Sequence, residues 1–264
     1  MRYINADDFR VEGEKTILFV TLAVACVLFF FLLGVSLGLI VFLVVLSAVW
    51  VKIRQGQLLG QSIKVTENQL PEVHNVAKVA SERLYIDLPD IFVTQNPIIN
   101  AYAIGFLGKK SIVLNSATVE SMQPNELLAI IGHELTHIKA GHTDWIVITG
   151  STESIQVPVI SQIMRFIFFF WSRKAEYTSD RGALLACRDP KAVVNSLAKV
   201  AVGKKLFEKL NLENLYNQKM NIDEDEISKL SESLSTHPYI INRIHEINKF
   251  YASAEYTQLI KKEL

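Results

Sequence analysis

Cysteine is scarce in this sequence. Only two occur among 264 residues, Cys26 inside a long apolar run and Cys187 in a stretch of helical periodicity. Neither has a metal-ligating neighbour, and a disulfide between them would have to join the apolar run to the polar remainder of the chain. We therefore predict two unpaired cysteines in a reducing compartment, which argues against a disulfide-stabilised fold.

Net charge is absent as well. Lys and Arg together number 27, and Asp and Glu together also number 27. A nucleic-acid-binding domain usually carries an excess of basic residues, so the composition predicts no nucleic-acid partner. The length is sufficient for one sizeable domain and a membrane segment.

Charged residues are missing altogether from one stretch near the N-terminus. Thr16–Val51 has no Asp, Glu, Lys, Arg or His in 36 residues. About 18 apolar residues already indicate a membrane span. The alternative, a cleaved signal peptide, has an apolar core of only about 7–15 residues, and no small-x-small cleavage site closely follows this run.

The length of the run favours two short membrane spans. A single helix of this length would extend for about 54 Å, against about 30 Å for the hydrocarbon core of a bilayer. A transmembrane helical hairpin with spans over Thr16–Leu33 and Ser36–Val51 fits better, with one tilted helix as the alternative. Residues 1–55 are therefore predicted to form a membrane anchor, and residues 56–264 a separate domain.

Basic residues at both ends of the run predict its orientation. Three precede the run and two follow it, whereas the loop between the two spans has none: Arg2, Arg10, Lys15, Lys52 and Arg54. The positive-inside rule then places both ends of the hairpin in the cytoplasm. We expect a multi-pass protein of an inner or plasma membrane, with its second domain in the cytoplasm.

Beyond residue 55 the pattern predicts a mainly α fold with a small antiparallel β-sheet. Two helices are predicted over Gln69–Leu84 and Asn125–Ala140, the second with Pro124 in its first turn and Gly141 after its end. Three short β-branched or alternating segments are predicted to form the strands: Ile91–Thr94, Ile99–Ile104 and Ser111–Leu114.

The second predicted helix contains His133-Glu134-Leu135-Thr136-His137, an HExxH pattern. Residues four apart lie on one face of a helix, so both imidazoles can reach one metal ion, and the carboxylate of Glu134 can reach a water molecule beside it. Two histidines hold zinc weakly, so the pattern requires a third protein ligand, with the fourth position open for water. A surface helix with two incidental histidines is the alternative.

Three residues are candidates for the third ligand. His142 lies close to the motif, although it is out of register for the metzincin pattern, and Asp144 is possible but has no motif around it. Glu176 lies four residues before Asp180 on a predicted helix, so Glu176 could bind zinc while Asp180 accepts a hydrogen bond from the imidazole of His133. Two solvated acids on a helix face are the alternative.

Four sequence blocks follow one another in an order that resembles a known family. They are Asn100-Ala101-Tyr102-Ala103, the Gly132–Ile138 segment, Arg173-x-x-Glu176-Tyr177-x-x-Asp180-Arg181, and Thr236-His237-Pro238 with Arg243-Ile244. This order is similar to that of the HtpX-like and CAAX-prenyl-endopeptidase family of gluzincin zinc metalloproteases. The resemblance covers Ile63–Ile247, and a preceding membrane hairpin is typical of the HtpX branch.

The resemblance implies an α+β gluzincin-type metalloprotease domain over residues 56–264. It implies one zinc ion per chain, bound by His133, His137 and Glu176, with Asp180 behind a ligand imidazole. Glu134 would be the catalytic base, and polypeptides would be the substrates.

Three further roles come with the resemblance. Asn100 would begin a strand, including Ala101, Tyr102 and Ala103, that pairs with an extended substrate, and Asn100 would help to hold the scissile carbonyl. His237 would polarise the carbonyl oxygen, and Arg243 would brace this region. A strand-end Asn, a helix-capping His-Pro turn and a surface Arg are the alternatives.

The expected function is zinc-dependent endopeptidase activity in membrane-protein quality control, with misfolded membrane proteins as the substrates that the HtpX resemblance implies. A zinc-stabilised scaffold or chaperone-like binder is the alternative, and it would not need Glu134. An intramembrane zinc protease fits less well, because the charged residues Glu126, Lys139 and Asp144 flank the motif.

One segment departs from the better-known HtpX proteins, which have two further membrane spans after HExxH. The corresponding Trp145–Trp171 carries Glu153 and Arg165, and an Arg at the bilayer centre costs about 2.5–3.5 kcal/mol. We predict a buried or interfacial helical pair here, with entry into the membrane as the alternative.

Overall fold

The computed structural model describes residues 4–33, 60–105, 108–149, 160–212, 225–233 and 237–263, with scattered residues between 38 and 57, between 214 and 220, and residue 235. After a short 3-10 turn, Ala6–Asp8, the helices are α1 Glu14–Leu33, α2 Pro71–Arg83, α3 Ser116–Ser121, α4 Pro124–Lys139, α5 His142–Thr149, α6 Ile160–Cys187, α7 Pro190–Val202, α8 Lys204–Phe207, α9 Glu226–Ser233, α10 Ile240–Tyr251 and α11 Ala254–Glu263. The strands are β1 Ile63–Lys64, β2 Asp90–Thr94, β3 Ala101–Ile104 and β4 Ser111–Asn115. The predicted mainly α architecture is confirmed, and α2 and α4 match the two predicted helices.

The sheet is mixed, so the prediction of a purely antiparallel sheet was wrong. Its strand order is β1-β2-β4-β3, in which β2 and β4 are parallel and the two outer pairs are antiparallel. After β2 the chain crosses to the outer edge of the sheet, where it forms β3. The next strand, β4, then runs between β2 and β3. Ile112, Val113 and Leu114 of β4 are fully buried, which suits this interior position.

The close crossing of α4 and α6 forms the centre of the domain. A Cβ atom at Gly182 of α6 would lie 1.8 Å from Oγ1 of Thr136, and one at Gly132 of α4 would lie 2.5 Å from Cβ of Ala186. Glycine at these two positions therefore lets the helices approach more closely than any larger residue would allow. The crossing lies within the main core, which includes Ile131 of α4 and residues of α6, α7 and α10.

The N-terminal residues pack into this same core. Ile4 and Phe9 are 1% and 0% exposed, and both belong to the cluster that contains Ile131. The division into an anchor over residues 1–55 and a domain over residues 56–264 stays a prediction, but the residues before α1 contact the second of these regions directly.

Helix α1 leaves the domain and exposes most of its apolar surface. Glu14–Phe31 is, among the described residues, the one helical window that is long and apolar enough to cross a membrane by length and composition. The predicted second span, Ser36–Val51, lies largely outside the described residues, so the hairpin stays a prediction. Within Trp145–Trp171, α5 and the beginning of α6 are helical, whereas residues 150–159 lie outside the described part.

The first turns of α1 pack against α6. Leu18 and Leu22 of α1 contact a small cluster around Phe168 and Trp171 of α6, and Trp145 of α5 completes it. Both Phe168 and Trp171 are 2% exposed. The beginning of the apolar helix is therefore attached to the helix that crosses α4.

Replacement of Gly182 by Ala tests the crossing. In an exposed helix this change would add about 1 kcal/mol of stability. Here the new methyl group meets the side chain of Thr136, so we expect a net loss of about 1–3 kcal/mol, measured as a lower thermal unfolding midpoint in detergent. The control is Gly60→Ala, because no atom lies within 4 Å of a Cβ at that helical position. An unchanged or higher midpoint for Gly182→Ala would show that the helices tolerate a wider separation.

Candidate metal centre

Helix α4 presents His133 and His137 on one face, as the four-residue spacing requires. Their Nε2 atoms lie 3.1 Å apart. The beginning of the helix is held by a capping box, in which Glu126 accepts a hydrogen bond from the backbone N–H of Gln123 at 2.7 Å. The carboxylate of Glu126 also pairs with Nζ of Lys199 at 2.6 Å, so this helix is fixed at its first turn.

Helix α6 brings Glu176 to the two imidazoles. Its carboxylate oxygens lie 3.5 Å from Nε2 of His133 and 3.5 Å from Nε2 of His137. One atom from each of the three residues lies within 4.8 Å of the others, an arrangement that could hold a metal ion. The other two candidates for a third ligand are not in this group: Asp144 pairs with Lys110 at 2.7 Å, and His142 lies behind His137.

The two imidazoles turn their Nδ1 atoms away from Glu176 towards separate partners. Nδ1 of His133 lies 3.1 Å from Oδ1 of Asp180, the contact that the sequence predicted. Nδ1 of His137 lies 3.1 Å from Nδ1 of His142, a residue whose position in the sequence had made it a candidate metal ligand. Burial lowers the pKa of His142 to about 4, despite its contact with Glu14, so its imidazole is neutral at pH 7.

Arg243 of α10 joins the two acidic residues of α6. Its Nε and Nη2 atoms donate to the two oxygens of Asp180 at 2.8 and 2.6 Å, and Nη1 lies 3.2 Å from Oε2 of Glu176. Burial raises the pKa of both carboxyls, but the charges of Arg243 and of the neighbouring histidines outweigh it and hold both pKa values below their ordinary range. Arg243 is itself buried, so the surface-residue alternative for it was wrong.

The side chains of His133, His137 and Glu176 line a cleft of about 400 Å³. Strand β3 lines one wall, and α4 contributes Glu134, which is 8% exposed. Apolar residues of α6 and α7 line a further part of the wall: Ala183, Val193, Leu197 and Val200. The cleft therefore combines polar groups at the centre with an apolar surface that could accept a side chain.

Asn100 and His237 also line the cleft. The side-chain oxygen of Asn100 accepts a hydrogen bond from the N–H of Ala101 at 2.9 Å, and its backbone N–H donates to Oγ1 of Thr118 at 2.8 Å. Nε2 of His237 lies 3.7 Å from Oε1 of Glu176, and its side chain is 63% exposed. Thr236, which precedes it in the motif, lies outside the described residues.

The donor set fits a zinc ion. Because Asp180 and His142 face the two Nδ1 atoms, both Nε2 atoms can present lone pairs to a metal ion. Without a metal ion the surroundings favour positive charge on the ring: although burial lowers the pKa of His133, its hydrogen bonds to Asp180 and Glu176 raise it to about 10, and a bound zinc ion would take the place of the added proton. Two imidazoles and one carboxylate with an open fourth position are a common ligand set of catalytic zinc.

Comparison with known proteins agrees with this geometry. Residues 67–250 match peptidase family M48. The chain is 34% identical over 219 residues to the plastoglobule-localized metallopeptidase 48 of Arabidopsis thaliana, covering 77% of this chain and 64% of that protein. It is 24% identical over 283 residues to a protease HtpX homologue of Helicobacter acinonychis, covering 93% of this chain and 87% of that protein.

A solved structure shares the fold. The crystal structure of S. mikatae Ste24p superposes with a TM-score of 0.51 at 17% sequence identity, covering 88% of this chain and 62% of that one. This chain therefore spans slightly less than two thirds of Ste24p and of the plastoglobule peptidase. The family match extends over well more than half of the sequence and confirms the resemblance predicted from the four blocks: the chain belongs to peptidase family M48, a family of metalloproteases.

Proposed function

We propose that this chain is a zinc-dependent endopeptidase anchored in a membrane. The observation that carries the proposal is the convergence of His133, His137 and Glu176 within 4.8 Å, in a cleft that also contains Glu134. These three residues would hold one zinc ion per chain, and the cleft leaves room for a water molecule and a substrate on the open side.

Glu134 would move the protons of the reaction. A zinc ion bound in this site would acidify water and polarise the scissile carbonyl. The carboxylate of Glu134 would take a proton from the attacking water and deliver it to the leaving amine. The products are two peptides, with no covalent enzyme intermediate.

Two other residues of the cleft would stabilise the charge that develops on the carbonyl oxygen. The side-chain oxygen of Asn100 accepts from Ala101, so its amide N–H₂ group is the part that can donate to the substrate. The imidazole of His237 is exposed beside Glu176 and can donate a second hydrogen bond. Arg243 would act through Asp180 and Glu176, whose orientation it fixes.

Strand β3 would bind the substrate by strand addition. It is the last strand in the order β1-β2-β4-β3, so its outer side faces the cleft. The N–H of Asn115 donates a hydrogen bond to the C=O of Asn100, and in an antiparallel pair every second residue is hydrogen-bonded to the neighbouring strand. The N–H and C=O groups of Ala101 and Ala103 therefore point away from β4. With Ala101 N–H capped by Asn100, Ala103 offers the pair of backbone groups for an extended peptide.

The membrane provides the proposed setting. Phe19, Phe30 and Phe31 of α1 are 73%, 70% and 82% exposed, a surface that lipid would cover. We propose residues 1–55 as the anchor and residues 56–264 as the protease domain on the cytoplasmic side. Misfolded membrane proteins are the proposed substrates, because a domain attached to α1 acts close to the bilayer.

Glu176→Ala tests the metal site. Loss of one of three ligands should weaken zinc binding by more than about 100-fold, seen as low zinc content after purification and in a competition titration with a fluorescent chelator. Glu72→Ala, which removes an exposed acid on α2, should retain zinc like the wild type. Equal zinc content in all three proteins would remove Glu176 from the ligand set.

Glu134→Gln separates catalysis from metal binding. The variant should keep its zinc but cleave casein, or itself, about 10²–10⁴-fold more slowly, because the amide cannot accept the proton of water. Full activity would contradict the assigned base. A zinc-stabilised scaffold would give a different result, in which the wild type binds zinc but shows no chelator-sensitive cleavage.

Strand addition predicts sensitivity to the substrate backbone. A peptide with one N-methyl group at the residue that pairs with Ala103 should lose about 0.5–1.5 kcal/mol of binding, or about 2–10-fold in kcat/KM. A peptide with the methyl group on the adjacent residue is the matched control, since that N–H points away from β3. Equal loss with both peptides would indicate that side chains alone position the substrate.

A further inference from the structure

We infer that Glu14, the first residue of α1, is a positioning residue for the metal centre, acting through His142 on the ligand His137. The inference rests on the proposed function, because it concerns the same metal ion. It adds a residue that lies 119 positions before the HExxH motif and at the beginning of the apolar helix.

Glu14 is fully buried and bonded on all sides. Its Oε1 atom lies 3.0 Å from Nε2 of His142, and its carboxylate also contacts the guanidinium of Arg10 and the hydroxyl of Thr178. That hydroxyl accepts a hydrogen bond from the N–H of Val11 at 3.1 Å, so its own hydrogen is available to Glu14. Arg10 provides the counter-charge that lets a carboxylate remain buried.

The direction of the hydrogen bonds follows from this carboxylate. A carboxylate accepts, so His142 carries its hydrogen on Nε2 and presents a lone pair on Nδ1. That Nδ1 atom lies 3.1 Å from Nδ1 of His137, which must therefore donate. His137 then carries its hydrogen on Nδ1, and its Nε2 lone pair points towards Glu176.

Without Glu14 the opposite arrangement becomes available. His142 could carry its hydrogen on Nδ1 and donate it to His137, which would then hold its hydrogen on Nε2, the atom needed for the metal. Partners that fix the ring of a ligand histidine typically change metal affinity by 10–100-fold. Glu14 thus does for His137, through one intervening ring, what Asp180 does directly for His133.

The contact between Glu14 and His142 also links the apolar helix α1 to the metal centre. Leu18 and Leu22, one and two turns after Glu14, pack against Phe168 and Trp171 of α6. The ring of His142 in turn packs edge-on against Trp171, with 5.7 Å between centroids. Glu14 can therefore reach His142 only while the first turns of α1 are docked on α6.

The full chain in detergent, stripped of metal with a chelator, provides the test. Zinc affinity is measured by competition with a fluorescent chelator, and the absorption spectrum of bound Co²⁺ reports the geometry of the site. Glu14→Ala should bind zinc 10–100-fold more weakly and change the Co²⁺ spectrum. Glu12→Ala, which removes an exposed acid two residues earlier, should stay within about twofold of the wild type.

A second variant distinguishes positioning from packing. In His142→Asn the side-chain carbonyl can accept the hydrogen of His137 without help from Glu14. Adding Glu14→Ala to this variant should change zinc affinity by less than about twofold. If Glu14→Ala does not fold, His142→Phe removes the acceptor while Glu14 keeps its contacts with Arg10 and Thr178, and it should show the same 10–100-fold loss.

The outcomes separate the possible failures. Wild-type affinity in Glu14→Ala, or in His142→Phe, would overturn the positioning role. If Glu14→Ala weakens zinc binding by the same factor in the wild type and in His142→Asn, Glu14 acts through packing alone. That result would also overturn the positioning role. A wild-type chain that binds neither zinc nor Co²⁺ would instead overturn the proposed function itself.

Discussion

The close crossing of α4 and α6 is the constraint on which the rest of the structure depends. Glycine at positions 132 and 182 removes the side chains that would hold the two helices apart. The crossing brings two imidazoles from one helix within 3.5 Å of a carboxylate from the other, although Glu176 lies 39 positions after His137 in the sequence. The core around it and the cleft beside it are built from residues that pack on these two helices.

Charge balance at this crossing agrees with the proposed metal ion. Glu176, Asp180 and Glu134 together carry three formal negative charges, and Arg243 contributes one positive charge. Buried charges are stable only when they are paired and hydrogen-bonded, and the bidentate contact with Arg243 satisfies Asp180. The remaining two negative charges would be balanced by one divalent cation bound between two neutral imidazoles.

Local patterns in the sequence predicted the parts of the site that lie within single helices. The four-residue spacings of His133 with His137, and of Glu176 with Asp180, depend only on helix geometry. The parallel pairing of β2 with β4 could not be predicted, because short strands joined by turns are equally consistent with a meander. The role of Glu14 was hidden for a similar reason, since it depends on a contact between distant segments, whereas the supporting role of Arg243 came only from the family resemblance.

The short path from α1 to the metal ligands has a geometric consequence. Glu14 lies in the first turn of the apolar helix, and the ring of His142 alone connects it to His137. With α1 inserted in a bilayer, the candidate metal centre would lie within a few side-chain lengths of the headgroups. For the proposed membrane-anchored protease, the peptide bonds within reach of the metal centre would therefore be those held close to the lipid surface.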